Sequence, residues 1–257
     1  GDGDVSCRPI SDYSVIEQTV ATQLERCKQM ATVHTGEMPV IFTPDGVASA
    51  FAMPLRLAFS GRMVYQGQSP LAGRLGQSAY HARFDLADDA TLPYRPASRS
   101  CDDEGVPSRR IPLIEDGVVR NFLYDLQTAG LAGAESTGSG ERSLSSQPAI
   151  STSSLLVREG NASFDEMVAD VKEGLVVEWL MGAGQGNIMG GDFSGNVLLG
   201  YKIERGRIVG RVKDTVVSGN THEALRDLAG IGSEGRWANG SLFTPALYCS
   251  RLSVSSK

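Results

Sequence analysis

Three adjacent carboxylates followed by two arginines form the densest group of chemically active side chains in this sequence. An Asp-Asp-Glu triplet at residues 102–104 leads into a Gly-Val-Pro-Ser turn, and Arg109 and Arg110 follow the turn directly. Such carboxylates could hold a hard divalent cation, with residues 88–89 adding further oxygen ligands. Acidic residues next to arginines more commonly form ion pairs. We therefore favour ion pairing within this acidic loop and keep a cation site as the alternative.

The remaining reactive residue types do not assemble into a known catalytic motif. His34, His81 and His222 are widely separated, and none belongs to a helical HExxH pair that binds zinc. A site built from all three remains geometrically open, but their spacing does not favour it. No Gly-x-Ser-x-Gly elbow is present. The glycine-rich residues 182–187 follow a predicted helix instead of joining a strand to a helix, so they do not indicate a dinucleotide site.

Composition excludes several classes of protein. The chain of 257 residues carries 24 basic and 30 acidic side chains, a net charge of −6, without a basic stripe. We expect no nucleic-acid binding. No apolar run approaches the roughly 20 residues that span a bilayer, and the first residues do not resemble a secretion signal. The four cysteines are too few for a disulfide scaffold and are expected to be free thiols. A cytoplasmic protein without membrane contact is the expectation.

Hydrophobic periodicity and turn residues predict alternating short strands and a few helices. An Asp-Gly turn at residues 116–117 predicts a hairpin of the type I′ kind. Capping boxes at Ser14 and Ser163 predict the two clearest helices. The predicted helices cover residues 14–30, 47–59, 163–181 and 221–228, and the predicted strands cover residues 38–43, 80–86, 111–115, 118–124, 154–158, 197–204, 208–217 and 246–254. Without a linker or repeat, we predict one α+β domain over residues 1–257, with a mainly antiparallel β-sheet and a few flanking helices.

Seven segments, in order, resemble the PmbA/TldD family. The acidic loop is similar to the family signature DDEG(V/T)P(T/S)RR. The other segments are residues 35–42 (similar to TGxxPVVF), 67–76 (GxSxLxGRxG), 135–138 (ESTGN), 190–194 (TGDFS), 200–208 (GxxIExGxI) and 218–220 (AGN). Each segment is weak evidence alone, whereas the ordered set covers nearly the whole chain. The resemblance implies the C-terminal domain of proteins about twice this length, without their N-terminal α/β domain.

The resemblance also indicates which branch of the family is closer. In the TldD branch a His-Glu-x-x-x-His helix supplies two zinc ligands and the general base, and a late cysteine completes the site. Counting back from Ser69 places that motif on residues 52–57, where Ala52, Met53 and Leu57 stand at the three functional positions. These side chains cannot ligate zinc or accept a proton from water. Cys249 lies inside a predicted strand and is no convincing counterpart of the late cysteine.

The sequence therefore predicts a TldE/PmbA-like, metal-free subunit of a zinc peptidase complex that degrades or matures unfolded or modified peptides. No catalytic, metal or cofactor residue is assigned, and zinc is expected in a TldD-like partner; the partner could instead be a second copy. A stand-alone metal-dependent peptidase using the acidic triplet, and a regulatory protein-binding module of the gyrase-modulator type, remain alternatives. The residues predicted to contact peptide or partner are Asp102, Asp103, Glu104, Arg109, Asp192, Phe193 and Ser194.

Overall fold

The structure, a computed structural model, describes residues 3–256 as helices and short strands around one large sheet. The helices are α1 (Ser14–Arg26), α2 (Pro44–Ala58), α3 (Gly61–Tyr65), α4 (Leu126–Ala132), α5 (Phe164–Asp170) and α6 (Thr221–Arg226). The strands are β1 (Gly36–Phe42), β2 (Leu86–Asp89), β3 (Arg110–Glu115), β4 (Val118–Val119), β5 (Gly140–Glu141), β6 (Ala149–Ile150), β7 (Leu155–Val157), β8 (Glu173–Met181), β9 (Asp192–Glu204), β10 (Arg207–Arg211), β11 (Thr215–Asn220), β12 (Leu228–Ala238) and β13 (Leu242–Ser256). The mixture of helices and strands agrees with the predicted α+β class in part.

Five strands of the large sheet close on themselves as a barrel. The order is β1-β8-β9-β11-β13, and β13 also pairs with β1. The sheet continues from β13 through β7, β2, β3 and β4, while β10 pairs with β9 and β12 with β13. The pairings of β1 with β8 and of β13 with β7 are parallel, whereas the other strand pairs in the described part are antiparallel. The sheet is therefore mixed, and no local sequence pattern predicts that it closes.

Alternating side chains of the barrel strands build two cores on opposite faces. Val40 and Phe42 of β1 join the larger core together with Phe51 of α2, whose ring centroid lies 4.9 Å from that of Phe42. Ile41 faces the other way and packs with Tyr201 in the smaller core next to α5. Because successive residues of a strand point to opposite faces, one short strand serves both cores. Helix α2 is thereby fixed against the sheet.

Two predicted helices differ from the structure. The first ends at Arg26 instead of residue 30, and the residue before it, Tyr13, makes no side-chain cap, so the predicted capping box at Ser14 is absent. The second predicted helix, residues 163–181, is really α5 followed by β8. Its capping box at Ser163 and Glu166 is confirmed. Gly174 lies at the start of β8, where the neighbouring strand leaves no room for a side chain: an added Cβ would lie 2.5 Å from the carbonyl oxygen of Pro39.

Other predicted elements shift by a few residues or divide. The Asp-Gly hairpin is present, with φ of 51° at Asp116 and 74° at Gly117, as a type I′ turn requires. Its second strand ends at Val119 instead of residue 124. The predicted strand at residues 80–86 lies at residues 86–89, and the predicted strand at residues 208–217 is two strands, β10 and β11. Strand β12 and the small β5–β6 hairpin were not predicted.

Candidate functional site

A cleft of about 760 Å³ lies beside the C-terminal end of α2. Helices α2 and α3 form one wall, and the β5–β6 hairpin with the segment after it forms the other. We call this space the α2 cleft. Its lining residues are Arg56, Leu57, Ser60, Arg62, Met63, Gln66, Ala97, Leu123, Glu141, Ala149, Ile150, Ser151, Thr152, Ser153 and Ser241.

The acidic loop supports the hairpin wall of this cleft through backbone hydrogen bonds. Asp102 is 4% exposed, and its Oδ2 accepts the N–H of Gly140 in β5 at 2.9 Å. Its Oδ1 accepts the N–H groups of Glu104 and Val106 at 3.0 and 2.9 Å. The N–H of Asp103 in turn donates to the carbonyl oxygen of Gly140. Asp102 is thus a structural carboxylate that fixes β5 to the loop.

The other two carboxylates of the loop also accept backbone hydrogen bonds. Asp103 Oδ2 accepts the N–H of Arg142, and Glu104 Oε2 accepts the N–H of Leu126 at the start of α4. Because each carboxylate meets main-chain donors, the triplet joins three separate segments of chain.

The expected ion pairs of the acidic loop are absent from residues 3–256. Arg109 donates instead to the carbonyl oxygen of Ser136 at 3.0 Å, and Arg110 begins β3, where it is paired with Asp89 in the strand register. The prediction of ion pairing was wrong because the carboxylate oxygens accept hydrogen bonds from backbone N–H groups. Several of these donors belong to segments distant in sequence, which no local pattern reveals. Arg109 still anchors the acidic loop, through the carbonyl oxygen of Ser136 instead of a carboxylate.

Strand β6 leaves one edge of the hairpin unpaired. Gly140 is opposite Ile150, and Ser151 N–H donates to the carbonyl oxygen of Ser139. In this antiparallel pattern the N–H and C=O of Ile150 point away from β5. They have no hydrogen-bond partner within residues 3–256. Since β6 lines the α2 cleft, the cleft offers an open strand edge.

Arg56 is the cationic group fixed most firmly in the cleft. Its Nη2 donates to Ser241 Oγ at 2.9 Å, while its Nε is shielded from solvent without a hydrogen-bond partner in the described chain. Sequence reasoning did not single out Arg56, although it is the one charged residue in the otherwise apolar stretch from residue 47 to residue 61. That isolation was the available signal, since a lone charge in an apolar helix needs a reason.

The predicted contact segment at residues 192–194 begins strand β9. Asp192 and Ser194 have exposed side chains, whereas Phe193 is 2% exposed, with its ring 5.5 Å from that of Phe51. Asp192 accepts a hydrogen bond from Asn220 at 2.8 Å. Contact with a peptide or partner stays a prediction for Asp192 and Ser194. The ring of Phe193 is a core side chain.

The structure does not bring the three histidines together. His34 lies 3.0 Å from Glu173 on the surface, and the ring of His81 accepts a backbone hydrogen bond from Arg83. His222 is 7% exposed, its Nδ1 lies 2.8 Å from Tyr80 Oη, and burial lowers its pKa to about 4. Across residues 3–256, no group of three or more His, Cys, Asp and Glu side chains has an arrangement that could hold a metal ion.

The carboxylates at residues 88–89 and the late cysteine also point inward. Asp88 Oδ1 accepts the N–H of Ser153, and burial raises the pKa of Asp88 to about 6. Asp89 Oδ1 accepts both the N–H and the hydroxyl of Thr91. Cys249 lies in β13, where complete burial raises its thiol pKa to about 12. A thiol held this way is protonated at neutral pH and unreactive.

Residues 35–256 match the family model for the PmbA/TldA metallopeptidase C-terminal domain. The chain belongs to this family. Within the described residues, no helix is both long and apolar enough to cross a bilayer.

Relatives of this family cover nearly all of the chain. A metalloprotease of Methanothermobacter thermautotrophicus is 28% identical over 93% of this chain and 54% of its own length. An uncharacterized Methanocaldococcus jannaschii protein, MJ0231, is 26% identical over 96% of this chain and 58% of its own length. The crystal structure of TldE from Thermococcus kodakarensis has 27% identity and a TM-score of 0.85, over 95% of this chain and 56% of that one. The chain therefore spans about half the length of these relatives.

The three residues that the resemblance would place at the zinc-motif positions lie on α2, and one of them, Leu57, lines the α2 cleft. Ala52, Met53 and Leu57 all belong to α2; Met53 is exposed, Leu57 is half-buried, and Ala52 is half-buried against the larger core beside Phe51. This PmbA/TldD domain therefore presents methyl, thioether and isobutyl groups at the positions where the resemblance would put two imidazoles and a carboxylate.

Proposed function

We propose that this chain is a non-catalytic subunit of a TldD/TldE-like peptidase assembly and that it holds extended peptide in the α2 cleft. The observation that carries the proposal is the apolar character of Ala52, Met53 and Leu57 on α2. None of the three can ligate zinc or act as a general base. The partner would be a TldD-like chain with a His-Glu-x-x-x-His helix; a second copy of this chain is the alternative partner.

In this proposal the chain acts by binding and positioning. An extended peptide would add to the free edge of β6 and pair with the N–H and C=O of Ile150. Strand β5 and the acidic loop behind it would keep that edge rigid, because Asp102 and Asp103 bond both backbone groups of Gly140. Zinc bound by the partner would supply an activated water for hydrolysis. The substrates would be unfolded or modified peptides, since strand addition requires an extended backbone.

The family relationship supports a peptidase-related role. Several relatives are named metalloproteases, among them TldD homologues, and the T. kodakarensis structure is a TldE. The two alternatives have less support. A peptidase using Asp102, Asp103 and Glu104 would need carboxylate oxygens that now hold backbone N–H groups. A regulatory role of the gyrase-modulator type rests on naming: a Thermotoga maritima structure with TM-score 0.83 and 27% identity was named for a proposed role of that kind.

The first test measures metal content and assembly. Zinc and other divalent metals are quantified by elemental analysis in the purified chain, before and after mild chelation. The chain is then mixed with a TldD-like protein, and complex formation and peptide hydrolysis are compared for each protein alone and for the pair. We expect no stoichiometric metal in this chain and hydrolysis only with the partner present. One tightly held metal per chain together with hydrolysis by the chain alone would overturn the proposal.

The second test addresses the strand edge. Ile150→Pro removes the outward N–H of β6, whereas Ile150→Val keeps it and serves as the matched control. We expect Ile150→Pro to weaken binding of an extended peptide by on the order of tenfold, in line with the loss of one main-chain hydrogen bond and the added ring. Complex formation with the partner should persist in both variants. Equal peptide affinity in the two variants would argue against strand addition at this edge.

A further inference from the structure

We propose that the α2 cleft contains a carboxylate-binding subsite centred on Arg56. This inference rests on the proposed function and narrows its substrate class to peptides that bring a carboxylate into the cleft. It concerns a residue for which the family resemblance makes no assignment.

The hydrogen-bonding capacity of Arg56 is largely unused. A guanidinium has five N–H donors. In the described chain one donor reaches Ser241 Oγ, and the Nε lies shielded from solvent without a partner. A buried polar group without a partner carries an energetic cost that a bound water, ion or ligand can relieve. The Ser241 contact holds the planar group in place and leaves the rest of its fork for an anion.

The local charge favours an anion as well. Arg56 has no carboxylate within ion-pair distance among residues 3–256. Arg62, on the adjoining helix α3, also lines the cleft, and Glu141 is the one acidic residue in the lining. The cleft is therefore cationic although the whole chain has a net charge of −6. Arginine is well suited to a carboxylate, because its donor fork matches the two oxygens.

The position of the free strand edge identifies a peptide as the source of this carboxylate. Ile150 and Arg56 line the same cleft, one offering main-chain pairing and the other a cation. A peptide on β6 would fill the space toward α2, where its C-terminal carboxylate or an acidic side chain could reach Arg56. Both sources share one chemistry, and the test separates them.

The test measures binding of labelled peptides to the purified chain by fluorescence anisotropy at low salt. The first probe is a short peptide of Gly, Ser, Val and Thr with a free C-terminal carboxylate. The second has the same sequence with an amidated C-terminus, and the third is amidated but carries one internal Glu. The variants are Arg56→Gln, Arg56→Lys, and Arg83→Gln as a control for loss of one exposed positive charge elsewhere on the chain. Thermal unfolding verifies that each variant is folded.

We expect the wild-type chain to bind the free-acid peptide on the order of tenfold more tightly than the amidated one. Arg56→Gln should remove this preference, Arg56→Lys should keep part of it, and Arg83→Gln should leave it unchanged. Tight binding of the third probe, abolished by Arg56→Gln, would identify an acidic side chain as the source. If Arg56→Gln does not fold, the comparison of Arg56→Lys with the wild type decides.

Equal affinity for all three probes, a preference that Arg56→Gln leaves intact, or failure of every probe to bind would overturn the carboxylate subsite. None of these results concerns assembly with a TldD-like partner or hydrolysis by the pair. Failure of every probe to bind would also count against peptide binding in the α2 cleft, whereas the non-catalytic role and the assembly with a partner are decided by metal content, complex formation and hydrolysis.

Discussion

Replacing Asp102 with Ala should destabilise the protein by about 3 kcal/mol. The carboxylate accepts three backbone hydrogen bonds, and Gly140, the most distant donor in sequence, is buried. Its N–H would lose its partner away from water, which costs about 1–3 kcal/mol. Glu104 and Val106 are partly accessible, so their N–H groups can regain water, and we assign about 1 kcal/mol to the two together.

Two further variants calibrate this estimate. Asp102→Asn keeps the size of the side chain but replaces one of its two acceptor oxygens with an NH₂ group, which cannot accept a hydrogen bond from a backbone N–H. We therefore expect about half the loss of stability seen in Asp102→Ala. Asp103→Ala removes one exposed acceptor, which meets the N–H of Arg142, and should cost under about 1 kcal/mol. Urea unfolding followed by tryptophan fluorescence gives the free energies. Hydrogen exchange at Gly140 should rise in Asp102→Ala, because the acceptor of its N–H is gone.

The reasoning fails if Asp102→Ala and Asp103→Ala have equal effects, or if exchange at Gly140 is unchanged in Asp102→Ala. Either result would show that the Asp102 carboxylate does not hold β5. Asp102→Ala should also weaken peptide binding in the α2 cleft, since β5 is the pairing partner of β6, whose free edge the peptide would use.

Three further expectations follow from described side chains. Burial lowers the pKa of His222 to about 4 from an unfolded value near 6.5, so its stabilising contribution is complete above pH 6.5 and falls as pH drops toward 4, by up to about 3 kcal/mol. The free energy of unfolding is compared between a chain with His222 and the His222→Gln variant across this range, and only the former should show this loss. Both carry Asp88→Asn, because the raised pKa of Asp88 has the opposite effect on stability as pH falls. Gly61→Ala should lower stability by about 1–3 kcal/mol in urea unfolding, because an added Cβ would clash with the ring of Tyr124 and lie 2.6 Å from the carbonyl oxygen of Leu123; a neutral result would mean that both the ring and the main chain at Leu123 shift at little cost. Arg109→Ala should reduce partner assembly or peptide hydrolysis in the paired assay, and normal values of both would refute a contact role for this loop.

Local signals in the sequence predicted the hairpin and the capped start of α5 because a few adjacent residues determine each. Asp116 and Gly117 adopt the positive φ that their types favour, and Ser163 with Glu166 forms the capping box. The stretch after α5 was misread as helix, since Leu175 and other apolar residues fit both periods over a short run. Its pairing with β1 and β9 decides the matter, and those partners are far away in sequence.

The candidate site escaped prediction for the same reason. The α2 cleft joins residues near positions 56, 62, 123, 141, 150 and 241, and only the folded chain brings them together. The motif at residues 102–104 was recognised as important, but its role differed: its carboxylates hold main chain instead of arginines or a cation. The ordered motifs indicated the family, whereas the hydrogen-bond partners of the carboxylates at residues 102–104 depend on backbone contacts between segments distant in sequence.

The closed barrel makes the order of synthesis matter. Strand β13 pairs with β1, β7, β11 and β12, so the segment made last among the described strands joins four earlier ones. A nascent chain that has emerged only to residue 241 has β1 open along the side that β13 will occupy. Contacts that span so much sequence form slowly, and the waiting edges are prone to wrong pairing. We expect ribosome-bound chains stopped at residue 241 to remain sensitive to protease and to engage chaperones, and chains that have exposed β13 to become resistant.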